Sequence, residues 1–393
     1  MSDKVITTSN NELTALLSEL RESLDRPLNQ ALSMPPQAYT SEVLLEREVE
    51  KLFRRDWQCT GRIEFLPNPG DYYTYEVAGT PLIVHKNSQG EFKAFSNVCL
   101  HRMAPLVEGT GNAKRFVCPY HRWSYDEDGQ LKFAPHAPNI DCSNRRLKEI
   151  KLEVWQGWIF VNLDDEAAPL APRLTQLDAL VGKYDMANMD TVIWEDVVWN
   201  TNWKLLAENF MESYHLFSVH PQTVQQVAST KSTRAEPGGD AYAFHWYSAP
   251  DPLPNLEGTE SSLADMPFST PLTHLSIEDL LTGFDVDIFP ATLIAYGAAG
   301  GFWILLQPQG VGQVRVRWGY SVPKGKIPKG AEGDAERAAI RRFMDQANAE
   351  DKQIVEGVYR SAKSPLAARS PLVMPNMEQP LAEFQRYLAR RMD

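Results

Sequence analysis

Hydrophobic and polar positions recur along this chain with two different periods, and the changes of period divide it. Over residues 11–24 and 41–57 apolar residues fall at helical spacing, with Ser41 placed to cap the second helix. Pro27, Pro35 and Pro36 hold the stretch between them extended. From Asp71 the period becomes two. YYTYEVAG, PLIVHKN and EFKAFSNV read as short strands separated by Gly and Asn turns, and residues 152–163 as a closing hairpin turning at Gln156 and Gly157. This pattern predicts a small antiparallel sandwich, and the acid-, Ala- and Pro-rich residues 164–172 mark its expected end. Beyond them come a polar helix over 174–184, a strand TVIWEDVVWN and a helix opening at Asn202 or Trp203. Strands follow at AYAFHWYS, VDIFPATLIAY, GFWILLQP and QVRVRWGYSV, then helices over 332–362 and 378–392. An antiparallel sheet backed by helices is an α+β arrangement. Residues 249–274, rich in Pro and Ser, have the length of a lid or binding loop.

Composition narrows the function classes. A chain of 393 residues allows two or three domains, and a formal net charge of −12 argues against nucleic acid while suiting a cationic substrate. Four cysteines are too few for a disulfide framework and fit a reducing compartment. The polar, acidic N-terminus is unlike a signal segment, and no run of eighteen apolar residues occurs, so the expectation is a cytoplasmic protein without a membrane partner.

Two constellations carry the chemistry. Cys99 and His101, then, after sixteen intervening residues, Cys118 and His121, offer two thiolates and two imidazoles from two short loops. A [2Fe–2S] cluster with two cysteines on one iron and two histidines on the other needs this set. A structural zinc would use the same atoms, although zinc fingers commonly take both thiolates from one knuckle, whereas here each loop carries one of each. The second constellation is in NWKLLAENFMESYHLFSVHP. On a continuous helix Glu212 and His215 share a face, with Asn209 one turn earlier. His220, five residues beyond His215 and directly before Pro221, must leave the helix to point the same way. Two histidines and a carboxylate on one triangular face are the ligands of non-haem Fe(II) oxygenases. The remaining histidines, His85, His136, His245 and His274, are scattered and read as ordinary buried or surface residues. GTGNAK at Gly109 lacks the third glycine of a dinucleotide fingerprint.

The flanks CLHR and CPYHRW resemble the Rieske domain, and with the downstream histidine motif the chain resembles the large (alpha) subunit of Rieske non-haem iron oxygenases, the ring-hydroxylating family. Asn202, Trp203, Lys204, Glu208, Asn209, Glu212, His215 and His220 match the segment that opens that family's catalytic domain. Ala104 and Tyr120 stand where respiratory Rieske proteins carry an extra disulfide, which places the chain with the oxygenase and ferredoxin branch. Met103 and Arg122 depart from the family, which usually has glycine there. The resemblance implies an N-terminal all-β Rieske domain over 41–165 after an arm over 1–40, and a helix-grip catalytic domain over 166–393. It implies Cys99, His101, Cys118 and His121 as cluster ligands, and His215 and His220 as ligands of a mononuclear Fe(II). It also implies Asp351, in RRFMDQANAEDKQIVEG, as the third ligand with Glu350 and Asp345 as substitutes, and catalytic roles for Glu212 and Asn209. Glu212 would bridge the iron site to a neighbouring subunit's cluster in a homotrimer.

The implied activity is that of a terminal oxygenase using O2 and electrons that reach it from NAD(P)H only through a separate flavin or iron–sulfur reductase. Glutamate rather than aspartate at position 212 resembles the branch that oxidises choline, carnitine and betaines, so the expected reaction is oxidation or N-demethylation of a quaternary or tertiary amine. Strand aromatics would then cage the cation: Trp246, Tyr247, Phe289, Tyr296, Phe302 and Trp303, with Trp303 and Tyr296 foremost. An aromatic-ring mono- or dioxygenase is the alternative, and a Rieske electron carrier without oxygenase activity is the alternative of another class.

Overall fold

The period-two stretch beginning at Asp71 forms strands in the computed structural model, which describes residues 2–248 and 275–392. β1 (Gln58–Arg62), β2 (Asp71–Val77), β3 (Thr80–Lys86), β4 (Phe92–Ser96), β5 (Thr110–Asn112), β9 (Glu149–Trp155) and β10 (Trp158–Asn162) make one antiparallel sheet, in the order β1-β10-β9-β4-β3-β2-β5. The short strands β6 (Phe116–Val117), β7 (Ser124–Tyr125) and β8 (Leu131–Phe133) form a second, three-stranded sheet. Alternate side chains bury Leu82, Val84, Ile159 and Val161 in one core and Ile83, Phe95, Phe116 and Tyr125 in another. The β9–β10 hairpin turns at Gln156 and Gly157, both with positive φ (47° and 81°), the two-residue turn whose twist suits antiparallel strands. These strands lie in one compact unit, Phe53–Ala171.

The other unit comprises Met1–Leu52 and Pro172–Asp393. Its sheet joins β11 (Met189–Trp199), β12 (Arg234–Glu236), β13 (Tyr242–Ser248), β14 (Thr282–Ile288), β15 (Thr292–Gly297), β16 (Gly300–Gly310) and β17 (Gln313–Pro323) in the order β11-β17-β16-β15-β14-β13-β12, antiparallel throughout. VDIFPATLIAY, expected as one strand, splits into β14 and β15 because Phe289–Ala291 turns the chain around Pro290, which has no N–H for a ladder. The described helices of this unit are α1 (Ser2–Asp25), α2 (Glu42–Glu48), α3 (Thr175–Val181), α4 (Trp203–Met211), α5 (Leu216–Val219), α6 (Ile277–Leu281), α7 (Ala331–Ala362) and α8 (Gln379–Arg391). Ser41 caps α2 as expected, accepting from Leu44 N, but the helix widens into a single π-turn over Val49–Phe53 and stops short of Trp57. The expected lid over 249–274 lies outside the described residues. None of the described helices is long and apolar enough to cross a membrane.

Residues 41–52, which the sequence suggested would open the β domain, belong instead to the unit of α4, and buried charge is the reason. Lys204 Nζ donates to Glu48 Oε1 at 2.6 Å and the Trp203 indole N–H to Glu48 Oε2 at 2.7 Å, all three residues at most 1% exposed. Tyr39 donates to Glu208 Oε2 at 2.7 Å one turn further along α4. A buried carboxylate with two donors is held in place strongly, because no other arrangement of the segment would satisfy it.

Lys204→Met should therefore destabilise the protein by about 3–5 kcal/mol, since it strands Glu48 without its cation. Adding Glu48→Leu to that variant should recover most of the loss, read from denaturant midpoints. Burial pushes the Glu208 carboxyl up to about 7, with Glu378 and Glu212 adding to the push and Tyr39 and Lys204 opposing it. A folded-state value above the unfolded one favours the folded protein at low pH. That stability is complete below the ordinary value of 4.5 and is lost as pH rises through about 7. Glu208→Gln should consequently gain stability relative to the wild type across that interval, and the pH dependence of the melting-temperature difference measures it.

Candidate metal centres

Helix α4 begins where Asn202 Oδ1 accepts from Lys204 N at 3.0 Å and ends at Met211. Glu212 is extended (φ −124°, ψ 148°), so the expected continuous helix face shared by Asn209, Glu212 and His215 does not exist. The Glu212 carboxylate is the cause: Oε2 accepts from the His215 backbone N at 3.0 Å and Oε1 lies 2.6 Å from His215 Nδ1. One side chain thus closes the turn and orients the imidazole. The four-residue α5 follows, and His220 leaves it at φ −114°, ψ 39°, the exit that Pro221 favours.

Two breaks in the helix bring both rings to Asp351, near the middle of α7. Asp351 Oδ1 lies 2.9 Å from His220 Nε2 and 3.6 Å from His215 Nε2. One donor atom from each of the three residues falls within 4.8 Å of the others, a span that suits a single metal ion. The surroundings fit that role. Each ring uses Nδ1 on an outer carboxylate, His215 on Glu212 and His220 on Glu350 Oε2 at 2.7 Å, which leaves both Nε2 atoms aimed inward. Glu350 is itself fixed by Thr223 Oγ1 at 2.7 Å and Gln346 Nε2 at 3.0 Å. Burial pulls the His220 imidazole down, but its bonds and charge contacts with Asp351 and Glu350 outweigh this and raise it. Three carboxylates around two imidazoles form a site that a cation would stabilise.

The alternatives separate cleanly. Asp345 is engaged by Arg341 Nε at 2.7 Å on the solvent side of α7, and Glu350 faces the outer nitrogen of His220. Asn209 sits half-buried in the last turn of α4, with no side-chain hydrogen bond to the trio among the described residues. Glu350 and Thr223 were not foreseen as partners of His220. The acidic pair Glu350–Asp351 was visible in the sequence, but which oxygen met which nitrogen depended on α7 docking.

In the β unit, two loops of the same construction carry the other constellation. Cys99 N bonds Ala104 O and Met103 N bonds Cys99 O; Cys118 N bonds Trp123 O and Arg122 N bonds Cys118 O. Met103 (φ 58°) and Arg122 (φ 61°) both adopt the left-handed conformation, the physical reason glycine suits these positions. The cysteines are buried while His101 and His121 are exposed, their rings 4.5 Å apart. His101 stacks on Trp123 at 4.8 Å, and the Tyr125 hydroxyl lies 3.4 Å from Cys99 Sγ. All four cysteines are free thiols. Thiols inside and imidazoles outside suit a two-iron cluster with one iron toward solvent.

Strand register places the candidate aromatics. Phe302 packs on Phe210 of α4 at 5.3 Å between centroids, and Ala295, Asp285, His245 and Tyr320 share its face of the sheet. Trp303 and Tyr296, the expected first choices, are on the opposite face. Trp303 Nε1 donates to Ser321 Oγ there, and both rings are fully buried. Trp246 is on that opposite face too, against Phe244 and Phe284, and Phe289 packs on Phe384 and Tyr387 of α8. Of the six, Tyr247 and Phe302 are on the α4 side.

Residues 186–393 match the family described as "Ring hydroxylating alpha subunit (catalytic domain)", and residues 56–150 match the "Rieske [2Fe-2S] domain". The chain is 32% identical over 211 residues to the glycine betaine monooxygenase oxygenase subunit of Chromohalobacter salexigens, covering 52% of this chain and 47% of that protein. It is 34% identical over 195 residues to the putrescine 2-hydroxylase of Ralstonia nicotianae, covering 50% and 51%. These matches span about half the length of the curated relatives. Among solved structures, a quaternary ammonium Rieske monooxygenase, described in connection with carnitine oxidation by gut microbiota and inter-subunit electron transfer, superposes with a TM-score of 0.79 at 21% identity, covering 93% of this chain and 96% of that one. With more than half of its length matching the catalytic-domain family and a Rieske domain ahead of it, the chain belongs to the ring-hydroxylating oxygenase alpha subunits.

Proposed function

We propose that this chain is the terminal oxygenase component of a multicomponent Rieske oxygenase acting on an aliphatic amine. The observation that carries the proposal is the convergence of His215, His220 and Asp351 in a chain that also bears the Cys99, His101, Cys118 and His121 loops. When bound, the cluster would supply single electrons, and the ferrous ion at the trio would bind and activate O2.

The chain's own residues set the conditions for that chemistry. Glu212 and Glu350 hold the outer nitrogens of His215 and His220, fixing tautomer and ring direction. Asp351 completes one triangular face and leaves the far side for substrate and O2. His220 is almost fully buried, whereas His215 and Asp351 keep an edge in contact with solvent. Electrons would come from a separate NAD(P)H-dependent reductase, since the chain has no dinucleotide fingerprint. Exposed apolar residues beside each centre, Met103 and Tyr120 in one unit and Tyr214 and Phe217 in the other, support a homotrimer in which a cluster meets the iron of a neighbouring copy. Inter-subunit electron transfer in the similar structure favours the same arrangement. An amine is favoured because glycine betaine, carnitine and putrescine, the compounds named for the similar proteins, all bear a cationic nitrogen. A reducing cytoplasm suits four free thiols.

The test is O2 uptake with a generic reductase across betaines, aliphatic amines and benzoate-like acids; coupled uptake with the aromatic acids alone would exclude the amine. His215→Ala and His220→Ala should each abolish turnover and lower iron from about three to about two per chain while keeping the cluster's absorption. Loss of cluster colour in a folded variant would contradict the two-centre assignment. Glu350→Ala should lower mononuclear iron affinity or turnover by about 10- to 100-fold. Glu212→Gln should retain both metals but fail in reoxidising the reduced cluster during a single turnover, as stopped-flow absorbance would record.

A further inference from the structure

The sheet face that α4 packs against carries buried polar groups which the metal centre does not use. Asp287 on β14 is fully buried, and neither of its carboxylate oxygens has a hydrogen-bond partner among the described residues. Two residues back on the same strand and the same face, Asp285 Oδ2 lies 2.6 Å from His245 Nε2. His245 is 1% exposed, and its Nδ1 also lacks a partner. Glu383 of α8 is the other charged neighbour of Asp287, with one oxygen unpartnered as well. Burial, then Asp285 and Glu383, hold the Asp287 carboxyl well above the usual range, and among the described residues no cation counters them. Residues 249–274, outside the described residues, contain neither Lys nor Arg to supply one. Unpaired carboxylates this deep are rarely left without a ligand or a counter-charge.

We infer that His245, Asp285 and Asp287 form a subsite for the N–H-bearing ammonium head of an aliphatic amine. The inference rests on the amine oxygenase proposed above and narrows its substrate class. A primary ammonium has three donors and no acceptor. The ammonium supplies the missing cation and lets the Asp287 carboxyl release its proton to solvent on binding, so that both its oxygens and Nδ1 of His245, with Asp285 beside them, are acceptors when His245 donates through Nε2. A quaternary nitrogen has no N–H and would leave these acceptors empty, so it would favour aromatic rings instead. Position supports the assignment. Ser229, which follows the His220 segment, donates its backbone N–H to Ser248 O, at the end of β13. His245 is three residues further in, roughly 10 Å along the strand. Asp287 pairs with Ala243, two residues beyond His245, so an amine with its head there would extend past Asp285 along this strand toward the end nearest the histidine segment.

The experiment is calorimetric titration of the full chain with diaminobutane, and with the same carbon chain bearing trimethylammonium ends. The wild type should prefer the primary diamine. Asp287→Asn should weaken it by roughly ten- to hundredfold, the loss of one charge-assisted contact, while its melting temperature without amine stays at or above that of the wild type. Should Asp287→Asn fail to fold, Ala295→Leu, opposite Asp285 on the same face, keeps every carboxylate and should weaken the diamine by adding bulk beside Asp285. Equal diamine affinity in wild type and whichever of these variants folds, or preference of the wild type for the trimethylated chain, overturns the subsite. O2 uptake coupled only to other substrate classes would overturn it too, while leaving an oxygenase in place. Diamine binding through Asp287 with no O2 uptake on any substrate would overturn the oxygenase and keep the subsite.

Discussion

Two imidazoles five residues apart can meet at one point only if the backbone between them is not a continuous helix, and this constraint governs the catalytic unit. The Glu212 carboxylate meets it by accepting both the backbone N–H and the ring nitrogen of His215, which halts α4 at Met211 and turns His215 inward. Pro221 meets it at the other end by forcing His220 out of α5. Asp351 needs no such device, because the middle of a long helix is already rigid. The geometry of the proposed metal site is therefore made of one rigid element and two breaks, each enforced by a residue within three positions of the candidate ligand it aims.

Such a turn holds its shape only if the helix before it cannot slide. Buried charge anchors α4: Glu48 takes hydrogen bonds from Trp203 and Lys204, and Glu208 takes one from Tyr39. These contacts add little net stability compared with an apolar core, yet they specify one register, since a shift of the helix would leave a carboxylate buried and unsatisfied. The Asn-Trp-Lys opening of the motif and the Glu before Asn209 are explained by packing as much as by chemistry. The same logic, inverted, singles out Asp287. It lies on the sheet face that α4 covers but lacks donors of the kind that Glu48 and Glu208 have found.

In the β unit the requirement is backbone conformation rather than charge. Each ligand loop reverses through a residue with positive φ immediately before the carbonyl or amide that closes it. Methionine and arginine occupy these places at a modest strain cost, and their long side chains then project at the tips beside His101 and His121. The exposed face of the cluster site accordingly has bulk and charge where glycine would have left it bare.

The sequence alone determined what depends on local spacing. The two Cys-x-His-type loops, the strands from Asp71, the Ser41 cap, the Gln156–Gly157 turn, and the exit of His220 before Pro221 all follow from neighbours within a few residues. Tertiary structure decided whatever required two distant segments to meet. Glu212 looked like a helix residue because nothing in its spacing reveals that its carboxylate will outcompete the next helical hydrogen bond. The family resemblance put Asp351 ahead of Glu350 at the inner position, but that Glu350 would meet the outer nitrogen of His220 depended on the docking of α7. That Trp303 and Tyr296 face away from α4 was not legible, because period two states that neighbours alternate without saying which face α4 will cover. His245 read as an isolated histidine until β14 brought Asp285 beside it, a partner forty residues away that no local pattern encodes.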